Sequence, residues 1–369
     1  MNEQNSPVSN PASRRLSLDV LRGIAVFLMI EQHLGVWLWN GSGPPLQARP
    51  GLLVFNALGG GAAPMFIVLA GIGSSLLCSK NQLHRKKTDR TLWSRGLIVM
   101  AFGYLLSFAT PSWFSLQSWF VLHLMGFGML LTPWLRRLPT ALILLLAALI
   151  LACTGPLQAL LSTPLALNNL YMSARAAELP AWAGLRIAVV EGQFPIFPWL
   201  SLYLMGLACG RWISQARYSL ITRSAWVLLA AGLCGVLLWQ LELFSAPSGI
   251  WRNLHIRVPF FPASPTLVCL ILAPVLLAIR ALLALEARKP FRSDHPLVCL
   301  GRASLSLLLF HVVVFRELSR PLHGWRAFDV LPAMAILWGF VGFALLASWL
   351  WQKASYRFGA EWLLRKLSY

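Results

Sequence analysis

Residues 17–40, SLDVLRGIAVFLMIEQHLGVWLWN, limit what this chain can fold into more than any other stretch. The run is long and apolar enough to cross a bilayer as a helix, yet it carries Asp19, Arg22, Glu31 and His33. A charge near the bilayer centre costs about 2.5–3.5 kcal/mol on insertion scales, so ionisable residues inside a span read as functional. At about 100° per residue, Arg22 and His33 fall within about 20° of one direction and about 16 Å apart along the axis. Asp19 lies about 40° off that line and Glu31 on roughly the opposite side. The helix therefore carries a polar stripe, with a fixed cation at one end and a titratable imidazole at the other. A simple membrane anchor has no use for it.

The rest of the chain fits a polytopic membrane protein. It is 57% hydrophobic and 12% charged, with a mean hydropathy of +0.66, which no soluble single-core domain shows. Residues 1–13 are polar and Pro/Ser-rich and read as a disordered cytoplasmic tail. They do not read as a cleaved signal, because the following apolar run is too long and carries Glu31, Gln32 and His33. With about 20 residues per crossing, ten spans are predicted near 18–39, 52–78, 92–110, 114–135, 138–154, 195–213, 222–244, 264–285, 296–316 and 329–351. Residues 14–369 form a single all-α domain on this reading. The only clear Gly-Pro break is GGGAAP at 59–64 in the second span, expected to bend that helix and leave room beside it. The six cysteines lie in or beside apolar runs without a CxxC pair, which indicates small buried hydrophobes and no metal site.

Alternating the spans places 23 of the 31 Lys and Arg residues on one side. The positive-inside rule then puts both termini in the cytoplasm and the protein in the inner (plasma) membrane. Most of the net charge of +19 is thereby topology and headgroup contact, and nucleic acid is not an expected partner. Cations gather at the inner end (Arg22, Arg95, Arg302), while His33, His311 and Glu191 gather towards the outer end. Acyl transfer across the membrane suits this layout. Inner arginines would take the phosphates of a cytoplasmic acyl-coenzyme A, and a neutral His33 would accept the proton of an attacking hydroxyl or amine. An acyl relay on His33 itself is equally compatible with the residues. His123 lies nearer mid-membrane. The remaining histidines fall in loops or at helix ends.

RRLSLDVLRGIAVFLMIEQH (14–33) resembles the opening signature of the family typified by the heparan-alpha-glucosaminide N-acetyltransferase catalytic domain. AAPMFIVLAGIGSSLL (62–77) is similar to its second-span motif, and FPIFPWLSLYLMGLACGR (194–211) to a Pro-Pro-Trp element of its bacterial members. LGRASLSLLLFH (300–311) and YRFGAEWLLRKLSY (356–369) resemble the late span and the ending of related bacterial membrane proteins. The resemblance implies an enzyme of ten or eleven helices that moves an acetyl group from cytosolic acetyl-CoA to a sugar on the far side. By that resemblance His33 carries the catalysis and Arg22 holds the coenzyme. The reading is thus a membrane acyltransferase acting on a saccharide or glycolipid. Arg95 and Arg302 support the coenzyme; Asp19, Glu191, Pro195, Pro198, Trp199 and His311 are candidates to line the substrate pocket. Intramembrane charges also suit a proton-coupled transporter, although two halves with paired broken helices are missing. A catalytically inert scaffold is a third possibility. The apolar outer faces are compatible with a homodimer.

Overall fold

The computed structural model describes residues 14–42, 52, 57–165, 182–241, 249–256 and 261–368. The tail expected over 1–13 and most of the connection after the fifth span lie outside them. In lipid, every backbone N–H and C=O must be satisfied within its own segment, so long apolar runs fold as helices. They do so as α1 (Leu16–Leu38), α2 (Ala62–Lys80), α3 (Arg85–Ala109), α4 (Val121–Leu135), α5 (Thr140–Leu160), α6 (Ile196–Ser214), α7 (Tyr218–Gln240) and α8 (Pro265–Arg288). The ninth span is divided into α9 (Pro296–Arg302) and α10 (Ser304–Val312); α11 (Val330–Lys353) and the short α12 (Ala360–Leu367) close the chain. Among the described residues eight helices are long and apolar enough to cross a membrane, and α9 with α10 and its π-helical extension makes a ninth, bent by 72°. α4, with 15 residues, occupies the position of the remaining predicted span. The protein is an all-α, multi-pass membrane protein.

α6 is the hub and almost entirely buried, whereas α5 and α7 are largely exposed and turn apolar side chains such as Leu145, Leu149, Trp226 and Leu237 outward to lipid. A Cβ at Gly71 would collide with the Tyr203 carbonyl, and one at Gly206 with that of Val68, so α2 and α6 cross backbone to backbone. Gly23 and Gly301 bring α1 against α9 in the same way. One apolar core surrounds α6, with Ile67, Tyr203 and Val268 at its centre. A second lies between α1, α3, α9, α10 and α11, built on Ile30, Leu34, Leu300 and Leu337.

Two expectations are corrected. The sharp break falls in the ninth span, at Ala303, where no Gly-Pro signal marks it. Glu361 of α12 takes the freed N–H groups of Leu305 and Ser306, together with the Ser306 hydroxyl, and so stabilises the new helix start. In the second span a turn at 60–61 does interrupt the helix between 57–59 and α2, as expected, but a Cβ at Gly59 would strike Glu31 and Gln32. The space that the glycines leave is filled by side chains of α1. The cysteines also divide: Cys209, Cys269 and Cys299 are buried, but Cys153 and Cys234 are exposed on α5 and α7.

Candidate active site

α1 runs unbroken from Leu16 to Leu38, so the stripe read from the sequence is real and spans the bundle. At one end, Asp19 is buried and accepts both Nε and Nη2 of Arg14, at 2.6 and 2.8 Å. It also accepts Nη1 of Arg22 at 2.9 Å and Nε of Arg302 at 3.5 Å. Arg22 and Arg302, which come from different spans, therefore meet on one carboxylate, and three guanidiniums against one Asp leave the cluster net cationic. Glu286, at the end of α8, accepts the Leu16 N–H at 2.7 Å and fixes the start of α1. Arg95 lies apart from this cluster: its Nε donates to the Ser368 hydroxyl at 3.2 Å.

At the other end, His33 Nδ1 lies 2.9 Å from His311 Nε2, with the two rings stacked at 5.2 Å. His311 is fully buried and His33 half-buried. His311 Nδ1 sits 2.7 Å from the Leu307 carbonyl one turn earlier in α10. A carbonyl only accepts, so Nδ1 of a neutral His311 carries the proton and its Nε2 is an acceptor. His33 Nδ1 is then the donor, and the lone pair of His33 is left on Nε2. Trp37, one turn further along α1, stacks on the His33 ring at 4.7 Å, and Trp113 from the α3–α4 connection meets it edge-on at 5.4 Å. Arg316, beyond α10, donates to the Ser112 carbonyl at 3.0 Å and lies over Trp113. The arrangement is an imidazole whose ring is oriented by a second imidazole and walled by tryptophans.

The other predicted residues lie elsewhere. Glu191 ends a π-helical turn (Ile187–Glu191), where it is buried and paired with Arg186. Pro195 caps α6, Pro198 follows in its first turn, and Trp199 packs edge-on against Phe194 at 4.9 Å. Among the described residues, none of these is hydrogen-bonded or ring-stacked to the histidine pair. His123 is fully buried in α4, with Tyr104, Trp119 and Phe120 around its ring, and its Nδ1 accepts the Phe120 N–H at 3.3 Å. The sequence reading missed Trp37, Trp113 and Glu361. Trp37 was within reach, four residues after His33 and so on the same face.

A continuous span with an ion cluster around the buried Asp19 at one end and a linked histidine pair at the other places polar chemistry at both ends of one membrane helix. The family model for the catalytic part of heparan-alpha-glucosaminide N-acetyltransferase matches residues 14–244, more than half of the chain. The chain belongs to that family, whose activity is that of a membrane acetyltransferase. Comparison with curated proteins returned no match. The family match covers α1 to α7 and both Arg22 and His33; Arg302, His311 and Glu361 lie beyond it.

Proposed function

We propose that this protein transfers an acetyl group from acetyl-CoA, bound at the Asp19 end, to a hydroxyl or amine of a saccharide or glycolipid at the His33 end. The observation that carries the reading is the His33–His311 contact, because it leaves the His33 lone pair on Nε2, on the half-buried ring of the pair. Arg22 and Arg302 have N–H groups beyond those that Asp19 uses, and these supply the charge-assisted donors that coenzyme phosphates need. Arg95, on its own at the same end, is a secondary contact for the coenzyme. From Arg22 to His33 the helix rises about 16 Å, the distance the coenzyme's arm must bridge.

The transfer balances on His33. Its Nε2 takes the proton of the acceptor O–H or N–H as that atom attacks the thioester carbonyl. The tetrahedral intermediate collapses with loss of the coenzyme thiolate, which receives the proton from His33. His311 accepts the Nδ1–H of His33 throughout, holding the ring in one orientation and favouring its protonated form in the transition state. The positive-inside distribution supports a reading with the Asp19 end at the cytoplasmic face of an inner membrane and the histidines towards its far side.

Thermal melts with acetyl-CoA, followed by thioester loss with a panel of amino sugars and glycolipids, test this reading. Saturable stabilisation that weakens in Arg22→Ala, with turnover lost in a folded His33→Ala, is the expected result. Well-folded wild type that binds no acyl-CoA would contradict it.

A further inference from the structure

We infer that the mouth beside the histidine pair is an anion subsite, in which Arg316, Arg320 and Arg326 hold a phosphate or carboxylate carried by the acceptor. This rests on the acyl-transfer reading and deepens it by naming the acceptor's chemistry. Cations are scarce on this side. Of those described, Arg186 has Glu191 and Arg252 is taken by the carbonyls of Thr163 and Pro164. The other three converge on one ring, with the guanidinium carbons of Arg316, Arg320 and Arg326 at 4.1, 4.2 and 5.9 Å from the centre of Trp325. Among the described residues none of the three forms an ion pair. The carboxylates of this segment are engaged elsewhere: Glu317 accepts the Ser112 N–H at 3.0 Å, and Asp329 the Ser42 hydroxyl at 2.6 Å. Arg316 is half-buried, and its Nε is buried without a partner.

Three like charges on one indole repel one another, and an oxyanion between them removes that repulsion while adding charge-assisted hydrogen bonds. The cluster is also fixed against the base. Arg326 N–H donates to the Trp37 carbonyl at 2.7 Å and Phe328 N–H to that of Leu38 at 3.0 Å, tying the segment to the outer end of α1. Trp325 meets Trp37 at 6.4 Å, and Trp37 stacks on His33. Arg326 further lines a cavity of ≈350 Å³ between α1 and α11, with Asn40, Gln32 and Glu31 as its other polar walls. That volume is in the range of small-molecule sites, but neither histidine lines it, so the anion subsite itself rests on the three arginines and their tie to α1.

The test titrates glucosamine 6-phosphate and glucosamine, without acetyl-CoA, into the full chain in phosphatidylcholine nanodiscs. The phosphorylated sugar should bind saturably and at least about tenfold more tightly, as loss of a charged hydrogen bond implies. That preference should disappear in the Arg320→Ala/Arg326→Ala double variant and in Arg320→Glu, with unchanged melting temperatures. The same preference in phosphatidylglycerol nanodiscs supports the assignment. Its loss there means that lipid headgroups fill the cluster, and overturns it. Equal binding of the two sugars by wild type, or a preference that survives both variants, also overturns it. Because no donor is present, neither result depends on whether His33 transfers an acyl group.

Discussion

His33 draws its proposed power from a partner 278 positions away. An isolated imidazole on a membrane helix would be free to turn; the His311 Nε2 acceptor and the Trp37 stack hold this one still. His33→Ala should lower kcat by about 10²–10⁴-fold, the usual contribution of a general base. His311→Leu removes the acceptor and should cost at least about tenfold, as for other orienting partners, with KM for acetyl-CoA unchanged. His311→Gln, whose amide oxygen also accepts, should recover part of that loss. Steady-state kinetics on the three variants checks the assignment, and a His311→Leu protein with wild-type kcat would leave His311 as packing alone. At the other end, Arg22→Ala leaves Asp19 with Arg14 and Arg302, so it should weaken coenzyme binding without unfolding the protein. Asp19→Ala instead leaves the half-buried Arg22 and Arg302 without their carboxylate and should destabilise by about 1.5–3 kcal/mol, the scale of hydrogen bonds to charged groups. Melts of the two variants side by side separate these outcomes. The Arg22–His33 stripe was legible in the sequence because both residues sit on one unbroken helix, where rotation per residue fixes their faces. His311 was legible as a histidine at the right depth, but its contact with His33 was not, since that depends on how α10 is aimed after the bend.

At the scale of elements, the bend itself was illegible, since Ala303 is an ordinary helix former. The partner that stabilises it is Glu361, which closes the first turn of α10 from a different helix. Glu361 thereby caps the helix that carries His311. Glu361→Ala should cost about 0.5–2 kcal/mol, as other lost helix caps do, and lower kcat with it through His311. A variant with the full melting temperature and wild-type kcat would refute that link. Glycines at crossings were equally hard to weigh in advance. Gly206→Val drives a side chain into the Val68 carbonyl, and either α2 must move or the protein fails to assemble. On the opposite end, Asn40 and Ser42 bind Asp329, the residue before α11, and hold its carboxyl below the usual carboxylate range, Ser42 contributing most. A carboxylate lowered in the folded state adds stability above its unfolded pKa, near 3.9, and loses it as pH falls through the lower folded value. This tie should therefore stay constant from pH 8 to about pH 5 and weaken only in stronger acid. Melts of wild type against Asp329→Ala across that range would show it.

The whole molecule sorts its polar chemistry into two ends. Arg14, Asp19, Arg22, Glu286 and Arg302 form one, and Arg95 with Ser368 lies on the same side. His33, His311, Trp113, Arg316 and Asp329 mark the other. Counting alternate crossings of apolar runs was enough to predict this sorting, because helices in lipid have so few alternatives. What counting left open was which residues at each end touch, as Arg22 and Arg302 do and Arg95 does not. The broken ninth span is a device that carriers also use, but here its freed N–H groups are satisfied by Glu361 rather than offered to a passenger. The proposed transfer needs a coenzyme site and a base at opposite ends, and Arg22 and His33 lie at the two ends of α1.

The most direct measurement uses proteoliposomes of fixed orientation, with radiolabelled acetyl-CoA confined to the Arg22 side and a saccharide acceptor confined to the His33 side. Label should appear on the acceptor with wild type, fall sharply with Arg22→Ala and vanish with His33→Ala. Transfer that requires both substrates on one side, or that survives in His33→Ala, would contradict the account.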